Sequence, residues 1–304
     1  MMAQRLDTAF RSHGSLCRAW LLRPEAAGDS SASIPCIVMA HGHGGTRDAG
    51  LEPFAMRLAE SGFAVLLFDC RHFGASEGEP RQLVSIGGQL QDWAAAVAHA
   101  RGYPGIDSAR IALWGSSFSG GHVVVAAARD FRVAAISAQG PMMDGLAAVL
   151  NIIGYAGLGA ALALVARGLV DAVRWLLGMP PRMVPLVAAP GQVATMATAD
   201  AETGYRAIVP PTWRNEICAR FALALAFYRP IAHARRVRCP ALVQVCLRDS
   251  VAPAGAAIKT AERIGALAEP KAYEIGHFDI YVGAGFERAV ADQVGFFSRV
   301  LRPA

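Results

Sequence analysis

The chain has 304 residues, of which 54% are hydrophobic and only 17% are charged, and its net charge is +5. This length is sufficient for one large domain, or for a core domain with an insertion. The arginines are scattered and form no basic stripe interleaved with aromatic residues, so nucleic-acid binding is disfavoured.

The cysteines and the N-terminal segment indicate a reducing compartment. The six cysteines form no C-x-x-C pair and no metal-ligand spacing with histidine, as expected for free thiols. Residues 1–20 lack the apolar core of a signal peptide. We therefore expect a cytoplasmic protein with neither a metal site nor a cofactor.

Short apolar runs alternate with longer helical patterns, which is typical of a mostly parallel sheet covered by helices. The runs are continuous, as expected for strands buried on both faces. The expected strands are Leu16–Leu22, Cys36–Ala40, Ala64–Asp69, Ile111–Trp114, Ala134–Ala138, Ala241–Cys246 and Lys271–Ile275. The expected helices are Leu51–Ser61, Gln89–Arg101, Phe118–Arg129, Ala254–Ala266 and Phe286–Leu301. We predict an α/β fold with a doubly wound sheet.

The alternation breaks between residues 141 and 238. This segment holds an apolar helical stretch, a proline-rich patch at 179–191 and a more polar helical stretch around 213–228. Because it separates two expected strands, we predict a helical cap over the strand ends, inserted into a core formed by residues 1–140 and 239–304. The alternative is an insertion with a purely structural role.

The apolar stretch at 145–166 is uncharged and long enough to span a bilayer. It also contains Asn151 and four glycines, and it lies between strands of one expected sheet, which a span would separate. We therefore predict a buried or pocket-facing lid helix and no stable transmembrane span. Contact of the cap with a membrane surface stays an alternative.

The segment ALWGSSFSGGH (112–122) joins an expected strand to an expected helix and holds three serines in four positions. A nucleophilic serine on a sharp strand-to-helix turn needs small residues two positions before and after it, because the two backbones approach closely. Ser116 does not meet this condition, since its neighbours at these positions are Trp114 and Phe118.

Two serines satisfy the steric condition. Ser117 has Gly115 and Ser119 at the close positions and follows the strand directly, so it is the preferred nucleophile. Ser119, flanked by Ser117 and Gly121, stays an alternative, although its turn would begin two residues beyond the expected strand end.

A serine hydroxyl becomes nucleophilic when a base takes its proton and an acid orients that base. Asp249 and His277 each follow an expected strand, in the chain order Ser, Asp, His. Because ligands bind at the carboxyl ends of parallel strands, we predict a triad of Ser117, Asp249 and His277. Asp144 is an alternative acid, and Asp279 is expected to anchor a local turn.

Acyl transfer also needs donors for the tetrahedral oxyanion. We expect these to be the backbone N–H groups of Phe118, directly after the nucleophile, and of His43, in the glycine-rich loop HGHGG (41–45). A zinc pair formed by His41 and His43 is a weaker alternative, because no further ligand lies nearby in the sequence.

Several stretches of the chain are similar to marks of the α/β-hydrolase superfamily, namely HGHGG (41–45), FDCRHFGASEGEPR (68–81), GSSFSGG (115–121) and GHFDIY (276–281). The chain resembles this superfamily over nearly its whole length. Its GEPR sequence and apolar cap resemble dienelactone-hydrolase-like and acetylxylan-esterase-like proteins, and fungal polyketide transferases and thiohydrolases. The resemblance implies the triad roles given above and an acyl-enzyme mechanism. Ser119, where glycine is usual, departs from the pattern.

These observations together favour a serine hydrolase that cleaves a small-molecule carboxylic ester or thioester through an acyl-enzyme. The apolar cap favours a lipophilic acyl group, although a lid also needs apolar residues for its own packing. The alternatives are an acyltransferase that passes the acyl group to an alcohol or amine, and a non-catalytic binder on the same scaffold. The oligomeric state stays open.

Overall fold

A computed structural model describes residues 3–25 and 33–302 of the chain. The strands of its main sheet are β1 (Ala3–Ser12), β2 (Ser15–Pro24), β3 (Ile34–Ala40), β4 (Ala64–Phe68), β5 (Ile106–Ser116), β6 (Ala135–Gln139), β9 (Ala241–Cys246) and β10 (Ala268–Tyr273). The spatial order is β1-β2-β4-β3-β5-β6-β9-β10. Only the β1–β2 and β2–β4 pairs are antiparallel, so the sheet is mostly parallel. Strands β7 (Met183–Val184) and β8 (Ile217–Cys218) form a separate ribbon.

Helices cover both faces of the sheet. They are α1 (Glu52–Glu60), α2 (Ile86–Gly102), α3 (Phe118–Ala127), α4 (Gly145–Leu176), α5 (Ala201–Arg206), α6 (Phe221–Leu225), α7 (Ala254–Ile264) and α8 (Gly283–Leu301). On β3, Cys36 and Val38 pack into a core with α2, α3 and α7, while Ile37 and Met39 pack into a second core with α1 and α8. The period-2 alternation of side chains explains this division, and it requires every residue of β3 to be apolar.

The predicted α/β fold class is confirmed, and each strand expected from the sequence is present. Strand β1 was not predicted, because its segment AQRLDTAFRS has mostly exposed or half-buried residues. This strand pairs antiparallel with β2 at the edge of the sheet, so it has no continuous apolar run. The last strand also differs from the prediction, because it spans Ala268–Tyr273 rather than Lys271–Ile275.

Between β6 and β9 the chain forms α4, the β7–β8 ribbon, α5 and α6. A third apolar core joins Phe118 at the start of α3 to Ile152, Leu186 and Phe221 from this segment. The segment therefore packs against the carboxyl end of β5. The boundaries 141–238 for a cap, and 1–140 with 239–304 for a core, stay a prediction.

Helix α4 is long and apolar enough to cross a membrane, with a mean hydropathy of 2.0 in its most apolar window, yet only 11% of that window is buried. The helix is therefore not buried, but Ile152 and Tyr155 on one side of it face the cavity beside Ser117. It is bent at Gly157, where φ is 84°. Its buried Asp171 carboxylate accepts hydrogen bonds from the backbone of Arg182 and Arg220, at 2.7 and 2.9 Å. These contacts tie α4 to the rest of the cap, and the helix is no stable span.

The outer face of α4 exposes many large apolar side chains, including Leu158 and Leu176, which are 58% and 74% exposed. Within residues 145–199 the one carboxylate is the buried Asp171, so the other charged side chains of this segment are arginines. Leucines, a tryptophan and half-buried arginines therefore lie together on the accessible surface of α4. Contact of this surface with a membrane stays a prediction.

We expect the protein to float with vesicles that contain phosphatidylglycerol, and not with pure phosphatidylcholine vesicles. Replacing Arg167 and Arg174 with glutamine should weaken flotation, because each removes about 1 kcal/mol of attraction to the anionic surface. The control is Arg299→Gln, which removes an exposed arginine from α8. Concentration-dependent dimerisation through α4, measured by sedimentation velocity, without flotation would contradict the contact.

Candidate active site

The candidate nucleophile Ser117 lies on a sharp turn between β5 and α3. Its backbone has φ 54° and ψ −117°, a conformation that L-residues adopt rarely. Strand and helix approach so closely here that a Cβ atom at Gly115 would overlap the Ser119 carbonyl. In the first turn of α3, a Cβ atom at Gly120 would lie 2.6 Å from the Pro141 Cβ. Only glycine therefore fits at these two positions, and the turn presents the Ser117 hydroxyl beyond the end of the strand.

The three serines of this turn have different partners. The Ser116 hydroxyl lies 2.5 Å from the Tyr281 hydroxyl and accepts a bond from the Gln139 amide at 3.2 Å. The Ser119 hydroxyl donates to the His41 carbonyl at 2.5 Å. Only the Ser117 hydroxyl lies next to a histidine ring, so the structure favours Ser117 over the alternative Ser119.

The three residues predicted as a triad come together at the carboxyl end of the sheet. The Ser117 Oγ donates to the His277 Nε2 at 3.1 Å, and the His277 Nδ1 donates to the Asp249 Oδ2 at 2.6 Å. The side chains of His277 and Asp249 are 4% and 2% exposed. This arrangement can move a proton from the serine hydroxyl to the imidazole, while the carboxylate holds the ring in one tautomer.

Local hydrogen bonds hold both partners of the serine in place. The second oxygen of Asp249, Oδ1, accepts from the backbone N–H groups of Val251 and Ala252 at 2.8 and 2.6 Å. Before His277, the Gly276 N–H donates to the Asp279 Oδ2 at 2.8 Å. Asp279 therefore anchors the local turn, as the sequence analysis expected.

Opposing effects set the pKa of the His277 imidazole. Burial alone lowers this pKa, but the charge of Asp249, its hydrogen bond to the ring and the charge of Asp200 together raise it above the ordinary value. Asp200 precedes α5, and its Oδ1 accepts from the Ser250 hydroxyl at 2.6 Å. Its Oδ2 lies 3.6 Å from the Cβ position of Gly276, beside the turn that carries His277.

The expected oxyanion donors lie on either side of Ser117. Phe118 begins α3, so its N–H has no partner within that helix. The loop at 41–45 packs against the nucleophile, with the Cβ position of Gly42 only 3.0 Å from the Ser117 Cβ. Within residues 3–25 and 33–302, neither the Phe118 nor the His43 amide donates to a protein acceptor.

The orientation of the His43 amide is fixed by its own peptide unit. The Gly42 carbonyl lies 2.9 Å from the His41 Nδ1 and accepts from the Gly45 N–H at 3.4 Å. Because a trans peptide is planar, the His43 N–H points away from these partners. The Tyr205 hydroxyl holds the next carbonyl, donating to the His43 oxygen at 2.6 Å.

A narrow apolar cavity of about 50 Å³ opens beside the nucleophile. Its lining comes from the core and from the segment between β6 and β9, and includes Ser117, Phe118, His43, Ile152, Thr195 and Phe221. Sites for small organic ligands usually have roughly 300–1,000 Å³. A larger acyl group therefore requires the lining segments to move apart.

The side chains considered as an alternative acid or as zinc ligands form other contacts in the structure. Asp144 forms an ion pair with Arg229 at 2.8 Å and accepts from the Leu146 N–H at the start of α4, so it acts as a helix cap. The His41 Nε2 accepts from the Cys70 N–H at 3.3 Å, and the His43 Nε2 lies 3.2 Å from the Thr195 hydroxyl. In the described part of the chain, no cluster of three potential metal ligands is found.

Four residues of the site were not identified from the sequence: Thr195, Asp200, Tyr205 and Phe221. All of them lie between β6 and β9, in short helices or irregular segments. They follow no catalytic spacing, and they reach the site only through tertiary packing. An Asp that precedes a short helix, such as Asp200, gives no signal that distinguishes it from a helix cap.

We expect Gly115→Ala to lower turnover at least tenfold and to reduce the free energy of unfolding by about 1–3 kcal/mol, since the added methyl group forces β5 and α3 apart. Thermal unfolding and ester hydrolysis measure the two effects. The matched control is Gly87→Ala in α2, where a Cβ atom meets no atom within 4 Å. Equal stability and turnover in both variants would show that the close approach at Gly115 is not needed.

Comparison with known proteins places the chain in a family. Residues 14–156 match the model of the X-Pro dipeptidyl-peptidase (S15 family). The crystal structure of the α/β hydrolase GrgF from Penicillium superimposes with a TM-score of 0.83 and 26% identity, covering 98% of this chain and 99% of that one. Thiohydrolase aneE of Aspergillus aculeatus is 41% identical over 113 residues, which are 37% of this chain and 36% of that protein.

The quorum-quenching protein AidA of Acinetobacter baumannii is 43% identical over 300 residues, which are 97% of this chain and 95% of that protein. The chain therefore belongs to the family of AidA and is an enzyme of the α/β-hydrolase superfamily.

Proposed function

We propose that the protein is a serine hydrolase that cleaves a carboxylic ester or thioester through an acyl-enzyme intermediate. The observation that carries this proposal is the 3.1 Å approach of the Ser117 hydroxyl to His277, whose other nitrogen lies 2.6 Å from Asp249. A buried serine, imidazole and carboxylate in this order constitute the machinery of acyl transfer.

In the proposed reaction, His277 takes the proton of Ser117 as the hydroxyl attacks the carbonyl carbon. The N–H groups of Phe118 and His43 stabilise the oxyanion, and Asp249 stabilises the imidazolium. His277 then protonates the leaving alcohol or thiol, which leaves the acyl group on Ser117. Water, deprotonated by His277, releases the acid and restores the enzyme.

The cavity lining supports a lipophilic acyl group. Met142, Ile152 and Leu225 line the cavity beside Ser117, and the aromatic rings of Phe118 and Phe221 lie edge to face at 5.6 Å. Apolar area removed from water contributes roughly 25 cal/mol per Å², so a hydrocarbon chain gains affinity here. The thiohydrolase relative supports a thioester as one of the two substrate classes.

An acyltransferase is the second candidate function. The proposed nucleophile and base are 9% and 3% exposed, so little water reaches an acyl-enzyme in this conformation. An alcohol or amine bound beside the acyl group could then compete with water. A polyketide transferase, grgF of Penicillium, is 36% identical to the chain over 141 residues, or 46% of each protein.

We expect Ser117→Ala to lower kcat at least a thousandfold on p-nitrophenyl esters and acyl thioesters, because the nucleophile is lost. Ser119→Ala should lower turnover at most about tenfold, since it removes one hydrogen bond to the His41 carbonyl. Ser116→Ala is the matched control, because its hydroxyl faces Tyr281 and Gln139 instead.

A fluorophosphonate probe should label wild type, Ser116→Ala and Ser119→Ala, but not Ser117→Ala. Product analysis with and without an alcohol or amine acceptor then separates hydrolysis from acyl transfer. Full turnover in Ser117→Ala together with loss of turnover in Ser119→Ala would show that Ser119, and not Ser117, is the nucleophile.

The pH dependence of kcat/KM should report the pKa of His277, which must be neutral to accept the serine proton. Activity should therefore fall as the pH drops through a pKa above the ordinary histidine value. Asp200→Asn removes a negative charge that raises this pKa, so the acid limb of the profile should move to lower pH. Glu202→Gln, which removes an exposed carboxylate two residues away, should leave the limb in place. A limb unmoved by Asp200→Asn would contradict this coupling.

A further inference from the structure

Three glutamine side chains form a buried hydrogen-bond network next to the turn that carries Ser117. They are Gln139 on β6, Gln244 on β9 and Gln293 on α8, and each is fully buried. Gln139 and Gln244 are directly paired in the register of the two strands. The Gln293 Nε2 donates to the Oε1 atoms of both, at 2.8 and 2.6 Å. Gln293 therefore uses both of its amide protons to join the ends of β6 and β9.

Neighbouring groups fix the orientation of the three amides. The Gln244 Nε2 donates to the Ala289 carbonyl at 2.9 Å, so the Gln244 Oε1 faces Gln293. The Gln139 Nε2 donates to the Ser116 hydroxyl at 3.2 Å, so the Gln139 Oε1 also faces Gln293. Because both neighbours present oxygen atoms, Gln293 can present only its nitrogen to them. The network therefore has one arrangement of donors and acceptors.

The end of β6 contacts the proposed nucleophile. The Gln139 carbonyl accepts from the Ser117 N–H at 2.8 Å. The next residue, Gly140, lies beside the proposed acid and base, since its Cβ position is 3.9 Å from the His277 Nδ1 and 4.0 Å from the Asp249 Oδ2. A shift of this strand end would therefore move Ser117 relative to His277.

The other half of the network leads to the proposed acid and base. The Asp249 N–H donates to the carbonyl of Cys246, the last residue of β9, at 3.2 Å. The Gln244 Nε2 also donates at 2.7 Å to the hydroxyl of Tyr273, which ends β10. Gln293 thus links the strand ends of β5 and β6 to those of β9 and β10, and the three residues of the triad follow β5, β9 and β10.

Folding stability alone does not account for an amide at position 293. Within residues 3–25 and 33–302, the buried Gln293 Oε1 has no hydrogen-bond partner, which is unfavourable in the folded state. The other buried residues of α8 are apolar. Apolar groups of the same shape at all three glutamine positions would avoid the unpaired acceptor. The network therefore contributes something other than stability.

We propose that Gln293 is a positioning residue that holds the ends of β6 and β9 together, and thereby keeps the Ser117 hydroxyl within hydrogen-bonding distance of His277. It acts through the two strands and touches neither substrate nor the reacting atoms. Displacement of reacting groups by about 1 Å can lower a rate roughly a hundredfold. This inference rests on the proposed function, and it adds a residue of the opposite face of the sheet to the reaction.

Gln293→Met tests the role, because it keeps the length of the side chain and removes both donors. Labelling with a fluorophosphonate to completion counts the folded active sites, so that unfolded protein does not enter the rate. On a p-nitrophenyl ester, kcat per labelled site should fall about tenfold, since the serine and the imidazole are less well aligned. KM should stay within about twofold of the wild-type value, because the described lining of the apolar cavity contains none of the three glutamines.

Thr260→Val is the matched control. Thr260 is fully buried in α7, and its hydroxyl donates to the Ala256 carbonyl of the same helix at 2.7 Å. The substitution removes a buried hydrogen bond without touching the network. It should lower the thermal stability and leave kcat per labelled site at the wild-type value, as expected for a residue with a purely structural role.

A second variant tests the connection between the two strands. Gln244→Met removes the acceptor on β9, so it should also lower kcat per labelled site. Because both substitutions break the same link, the double variant Gln244→Met/Gln293→Met should be no slower than the slower single variant. Gln244→Met decides the matter if Gln293→Met does not fold.

A wild-type kcat per labelled site in Gln293→Met would overturn the inference, and so would losses in the two single variants that multiply in the double variant. Failure of the proposed function has a different signature. In that case the wild type is not labelled and hydrolyses no ester, or Ser117→Ala is labelled and active to the same extent as wild type.

Discussion

The site depends on the close approach of two backbones at the turn between β5 and α3. Because Gly115 has no side chain, the Ser119 carbonyl can lie where a Cβ atom would otherwise be. At this close approach Ser117 has a positive φ of 54°, a strained conformation for a residue with a side chain, and its hydroxyl lies beyond the end of the strand. The same turn places the Ser119 hydroxyl on the His41 carbonyl, so one local constraint positions both the proposed nucleophile and the loop that carries a proposed oxyanion donor.

Burial lowers the pKa of each histidine in the site, and the neighbouring charges decide whether the net shift of the pKa is downward or upward. Removing an imidazole from water disfavours its charged form and lowers its pKa. At His43 nothing opposes this effect, and the ring stays neutral. At His277 the carboxylates of Asp249 and Asp200 outweigh it and raise the pKa. His43 and His277 line the same small cavity beside Ser117 and nevertheless have pKa values shifted in opposite directions. The imidazole of His277 is the one suited to accept the serine proton.

The sequence predicted those features that depend on residues close together in the chain, and it did not predict those that depend on tertiary contacts. The central strands were predicted because β3 to β6 and β9 are buried on both faces and read as continuous apolar runs. Strand β1 was missed, since an edge strand with exposed polar residues has no such run. Ser117, Asp249 and His277 were predicted because each follows a strand in a fixed chain order, and the structure brings their side chains together. The spacing around Ser119 could show a departure from glycine, but only the structure shows its bond to the His41 carbonyl.

The residues of the site that the sequence could not reveal all come from the segment between β6 and β9. The Thr195 hydroxyl contacts the His43 ring, the Tyr205 hydroxyl holds the His43 carbonyl, and Asp200 adds negative charge beside His277. Each acts on a core residue through a contact between segments far apart in the chain. Opening this segment to admit a substrate would break the hydrogen bonds of Thr195 and Tyr205 to the core. The segment between β6 and β9 and the loop that carries a proposed oxyanion donor are therefore coupled through the hydrogen bond of the Tyr205 hydroxyl to the His43 carbonyl.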